Sequence, residues 1–117
     1  MSAPNEMQHW LGQLAKASQP LAEAVRQHRL LDHQRQVVLA VQARSALEDG
    51  TATSHAQAET VARSSPEYMQ HIAKLAEAEG NLAAVRARID YCKLQFECAR
   101  SVAANTRAEL SALPGIK

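Results

Sequence analysis

The stretch that decides the fold runs from Ser64 to Gly115: SSPEYMQHIAKLAEAEGNLAAVRARIDYCKLQFECARSVAANTRAELSALPG. Its opening reads as a helix start. Ser65 can cap free backbone N–H groups, Pro66 suits the first helical position, and Glu67 suits the positive end of the helix dipole. No proline follows until Pro114, and Gly115 behind it makes a stop. The spacing predicts one helix over 66–112, about 70 Å at 1.5 Å per residue. Apolar or small residues recur along it in a 3-4 pattern. With Tyr68 as an a position, a is Tyr68, Leu75, Leu82, Ile89, Phe96, Ala103 and Leu110. The d positions are His71, Ala78, Val85, Cys92, Ala99, Thr106 and Leu113. An unbroken heptad of this kind belongs to a helix that wraps on another helix. Small d residues predict a close approach and little burial energy per heptad. Gly80 falls at f, on the outer face. His71, polar at d, is suited to setting register.

The N-terminal half supplies a second, rougher arm. Ser2 or Asn5 can start a helix carrying Trp10, Leu11, Leu14 and Ala17. Pro20 either kinks that helix or follows a new start capped by Ser18. Helix then continues through Leu21, Val25, His28, Leu31, Val38 and Val41 and ends near Gly50. Arg35 falls inside the stripe and needs solvent or a carboxylate for its head, with Glu79 as one candidate. The connection over 50–65 is rich in Thr, Ser and Ala and reads as a loop or a short helix. Arms over 5–49 and 66–112 match in length. The expected fold is therefore all-α: a single-domain, long, coiled-coil-like antiparallel helical hairpin. Leu30, Val37 and Val41 form a second apolar stripe that a monomer leaves exposed. They join Leu82, Ile89 and Phe96 as candidate self-association residues, and a homo-oligomer is expected.

Composition agrees with thin helices and excludes several classes. Hydrophobic residues make up 46% of the 117, but aromatics only 3%, and the chain has just four glycines. Ala favours helix yet buries little area, so a thick core, a β-sandwich or a cofactor barrel is disfavoured. Thirteen basic and twelve acidic residues leave a net charge of +1, no global signature of a nucleic-acid or membrane protein. Neither a signal-like start nor a membrane-length apolar run is present, and a cytoplasmic location is expected. Cys92 and Cys98 stand six apart, about 120° around one helix, so they cannot pair within it. They do not form a zinc spacing either. The five histidines show no HExxH or other clustered ligand spacing. No phosphate loop, nucleophile elbow or carboxylate pair appears. The expectation is a non-enzyme with no cofactor, metal or small-molecule substrate.

One charge pattern stands out. Arg86, Lys93, Arg100 and Arg107 form a seven-spaced ladder at e, with Arg88 nearby at g. Asp90 and Glu97 are the only acids between 86 and 107. Such charges either flank the seam and pair with the other arm, or present a basic stripe to DNA or an acidic partner. Exposed aromatics for base stacking are lacking beyond Tyr91.

Two resemblances bear on function. Trp10-Leu11-Gly12 is similar to the W-x-G triplet of small secreted hairpin proteins. It lies near the N-terminus rather than in the turn at 50–65, so Trp10 is instead expected to pack near Leu110 and Leu113. The segment Ala62-Arg63-Ser64-Ser65-Pro66-Glu67-Tyr68 leads into an Ala- and Arg-rich helix. That helix closes in Ala103-Ala104-Asn105-Thr106-Arg107-Ala108-Glu109. Over residues 62–109 the chain resembles small helical proteins encoded in bacteriophages and prophages, many of them among recombination and replication genes. The resemblance implies a cytoplasmic, non-catalytic accessory role in phage DNA metabolism and brings no site residues with it. The expected function is assistance to DNA recombination or replication through protein or DNA contacts. The alternative is a coiled-coil adaptor, or an inhibitor of a host protein, without nucleic-acid contact.

Overall fold

A computed structural model describes residues 3–112. Three helices account for almost all of them: α1 (Ala3–Glu48), α2 (His55–Arg63) and α3 (Pro66–Ala112). The chain is an all-α helical hairpin, with α1 and α3 as its arms. None of the described helices is long and apolar enough to cross a membrane.

α3 starts as its sequence dictates. The Ser65 hydroxyl oxygen accepts the Tyr68 N–H at 3.2 Å while its own proton goes to the Ala62 carbonyl at 2.6 Å. The heptad stripe is buried or half-buried from Tyr68 through Ala103. Thr106 and Leu110 are exposed, because the antiparallel register carries this end of α3 past the start of α1 at Ala3. The stripe's last member, Leu113, and the Pro114-Gly115 stop lie outside the described residues, as does the alternative helix start at Ser2. Gly80 is exposed, and a Cβ added there meets nothing within 4 Å.

α1 runs through Pro20 as one helix. Ser18 does not cap a new helix, since its hydroxyl donates to the Ala15 carbonyl at 2.9 Å inside α1. Proline has no N–H for the Lys16 carbonyl, but both residues are exposed, so water can take its place. The inward stripe of α1 is also a heptad: Trp10, Ala17, Ala24, Leu31 and Val38 alternate with Leu14, Leu21, His28, Arg35 and Gln42. Each of these ten is buried or half-buried. The most covered are Ala17, Ala24 and Leu31, so the arms meet through small residues on both sides. Arg35 turns along its own helix to Asp32, 3.6 Å away. Glu79, the carboxylate expected for it, faces His28 Nε2 at 3.4 Å instead.

The connection holds a true helix. Gly50 adopts φ +81°, ending α1, and the Ala52 N–H reaches back to the Ala46 carbonyl at 3.0 Å. Asp49 accepts from both the hydroxyl and the N–H of Thr51, which holds its carboxyl below the usual carboxylate range. Ser54 then caps α2, accepting the Gln57 N–H at 3.2 Å. The Gln57 side chain reaches back to the N–H and hydroxyl of Thr53. This is a variant of the capping box. Ala58 and Ala62 on α2 are 0% exposed, and Ala58 packs with Ala46 and Ala52.

The hairpin packs as two compact units. One joins residues 3–21 of α1 to 84–112 of α3, and the other is 22–83. In the first, Trp10 stacks edge-on against Tyr91, with ring centroids 5.7 Å apart, and Arg88 reaches Gln13 at 3.4 Å. Trp10 therefore sits well short of Leu110, contrary to expectation: climbing α1 means descending α3, and the register sets Trp10 opposite Tyr91. In the second unit, Leu31 packs with Leu75 and Ala78. His71 is buried on the seam, its Nε2 2.7 Å from the Leu31 carbonyl. A carbonyl can only accept, so this nitrogen carries the proton. One polar bond thereby ties a definite residue of α3 to a definite residue of α1.

Candidate interaction surfaces

The basic ladder lies wholly on α3 in the first unit. Arg86, Lys93, Arg100 and Arg107 are all exposed. Seven helical residues separate neighbours, a step of about 10.5 Å along the axis. Arg100 bonds Glu97 on its own helix at 2.6 Å. Among the described residues no ion pair links any ladder residue to α1. The expected pairing with the other arm thus fails, and the reason is compositional. Between Ala3 and Leu21 the sole carboxylate is Glu6. Glu6 lines a groove with His9, Trp10, Gln95, Cys98 and Val102, which puts it beside the g and c positions of α3 rather than e. On α1 the e positions of this unit include Leu11 and Ser18, which carry no charge.

Arg88, at g, is held apart from the ladder by its bond to Gln13. Tyr91, at c, is about 160° around the helix from Lys93 and packs on Trp10. The ladder therefore has charge without an adjacent aromatic, an arrangement suited to phosphate oxygens or carboxylates rather than to stacked bases.

The groove beside Trp10 has a volume of about 340 Å³ and is lined in part by Cys98. Cys98 is an exposed free thiol and Cys92 a buried one. Among the described residues no three His, Cys, Asp or Glu side chains cluster as metal ligands.

The second unit carries the other candidate surface. Leu30, Val37 and Val41 are exposed on α1, Val37 by 61% and Val41 by 56%. The remaining self-association candidates are otherwise engaged: Leu82 is buried, and Ile89 and Phe96 are half-buried, on the inward stripe of α3. Val37 and Val41 border a groove of about 320 Å³ whose opposite wall includes Glu67, Gln70, His71 and Lys74 of α3. Sequence reading found the valines from their spacing. It missed the groove, because Glu67 and Lys74 join it only through the pairing of the arms.

No protein-family model, curated protein or solved structure matches the chain.

Proposed function

We propose that this chain is a non-catalytic binding module that engages the DNA backbone through the α3 ladder. Its role would be that of a cytoplasmic accessory protein in phage DNA recombination or replication. The observation that supports this reading most is the ladder itself: four exposed cations at a constant step, facing a stretch of α1 without a carboxylate on their flank. Contacts of this kind are made to phosphates and are indifferent to base sequence.

The test is titration of labelled duplex and single-stranded DNA across a salt series. If all four ladder cations neutralise phosphates, log affinity falls against log salt with a slope of about −3.6 on duplex and about −2.8 on single strands. Reversal to Glu at Arg86, Lys93, Arg100 and Arg107 should abolish binding. Reversing Arg29 and Arg44, which lie on α1 in the second unit, controls for net charge and should leave most of the slope in place. Absence of binding at low salt would remove the DNA reading.

A second reading is favoured by the spacing. A seven-residue step is also the step of acidic residues on a partner α-helix, as in coiled-coil recognition. In that case the chain is an adaptor or a host-protein inhibitor, and the partner it retains resists nuclease treatment.

A further inference from the structure

The groove of the second unit has a self-complementary border, and we infer that it is the docking face for a second copy of this chain. On α1 the border presents Val37 and Val41, and on α3 it presents Glu67 and Lys74 at successive g positions. All four are exposed, and among the described residues neither Glu67 nor Lys74 has an ion-pair partner. A two-fold axis crossing both helices at mid-groove, and lying in the plane of contact, reverses the helix direction of the second copy. It lays α1 on α1 and α3 on α3. Val37 then meets Val41 of the partner subunit, and Val41 meets the partner subunit's Val37. Glu67 faces the partner subunit's Lys74, and Lys74 faces the partner subunit's Glu67. Any isologous interface returns its contacts in swapped order; what these residues add is the match of kind, valine on valine and carboxylate on ammonium. Every adjacent pair of helices in the resulting four-helix packing is antiparallel, an arrangement such bundles commonly adopt.

Two further features of this unit favour that occupant. Its interior is thin, since Ala24, Ala46, Ala52, Ala58, Ala62 and Ala78 make up much of what is buried. Alanine contributes little burial, so covering two large valines adds materially to a small core. The border also has one charge of each sign on α3. A like-charged partner surface would not match it, whereas an inverted copy of itself does.

The test is sedimentation equilibrium of the full chain, with helicity followed by circular dichroism. The wild type should sediment at twice the chain mass in the micromolar range. Lys74→Glu alone places carboxylates opposite one another and should weaken the dimer at least tenfold, as should Glu67→Lys alone. The double swap E67K/K74E restores both pairs and should bring the dimer back. Val37→Asp should leave a helical monomer. A monomeric wild type at 100 micromolar overturns the proposal, as does a dimer indifferent to all four variants. A dimer weakened by the single swaps but not rescued by the double swap overturns the pairing. The readout is mass, so it neither requires DNA nor depends on the ladder.

Discussion

Three glycines test the helical geometry through the sign of one substitution. Gly12 lies within α1 and Gly80 within α3, and both are exposed. Gly50 follows α1 with φ +81°. A Cβ added at any of the three meets nothing within 4 Å. Sterics with neighbours are therefore equal, and only the backbone differs. At Gly12 and Gly80 alanine restricts the unfolded chain and suits the helix, a gain of about 0.5–1 kcal/mol at each site. The two sites lie in different units, so the double variant should gain about 1–2 kcal/mol. For a chain of this size each kcal/mol raises the thermal midpoint by about 3–6 °C. At Gly50 alanine must hold a left-handed conformation, at a cost of roughly 1–2 kcal/mol. The assay is thermal and urea unfolding at one fixed protein concentration, since self-association would shift the midpoint. Destabilisation by Gly80→Ala would mean that something packs on that face of α3. Stabilisation by Gly50→Ala would mean that α1 does not end in a left-handed turn. Either result refutes the corresponding part of the fold.

Other perturbations probe separate parts. Ala58→Leu or Ala62→Leu overfills the fully buried contact of α2 and should cost about 1–3 kcal/mol in urea unfolding. Ser54→Ala removes the α2 cap, so amide exchange over 55–63 should quicken with a loss of about 1 kcal/mol. Leu82→Asp puts a carboxylate on the buried seam, and circular dichroism should show loss of cooperative unfolding. Asp49 has a folded pKa below its unfolded value, so its contribution to stability is present above the ordinary carboxylate pKa and is lost as pH falls through the folded one. Asp49→Asn should therefore flatten the acid limb of a stability–pH profile below about pH 4.

The parts of the fold legible in the sequence are those where a large side chain or a breaker marks position. Ser65, Pro66 and the Tyr68–Leu75–Leu82 series sufficed to set the start and inward face of α3. Alanine carries no such mark. Ala17 and Ala24 are among the most buried residues of α1, yet alanine stands on every face of these helices, so burial at those two shows only once the arms are paired. The same holds for Ala58 and Ala62. For α2 a readable signal did exist, in the Ser54-x-x-Gln57 spacing that closes its cap. Pro20 leaves two readings open in the sequence, and α1 takes the one in which the helix runs on. An exposed proline between Ala17 and Leu21 of a continuous seam loses one solvent-side bond and leaves the packing on the other side intact.

The candidate site turns on what stands opposite a charge. Flanking cations in a helix pair ordinarily need no function, because carboxylates on the facing arm account for them. That explanation requires acids at matching positions, and residues 3–21 supply one, Glu6, on the wrong flank. The shortage is visible in the sequence, but its meaning is not, because an excess of unpaired cations on one helix signifies nothing until the facing stretch is known. The register through Trp10–Tyr91 and Gln13–Arg88 identifies that stretch. Arg100 then finds its acid locally, at Glu97, while Arg86, Lys93 and Arg107 project from α3 without an ion pair among the described residues. Exposed and unpaired, these three retain their hydration and their counterions, and release of those counterions is what drives association with a polyanion. Introducing acids into the facing arm is thus a sharper test than deleting the cations. Leu11→Glu with Ser18→Glu should supply the missing partners and lower the salt slope of DNA binding while every ladder residue stays in place. An unchanged slope would show that the ladder is not where DNA is held.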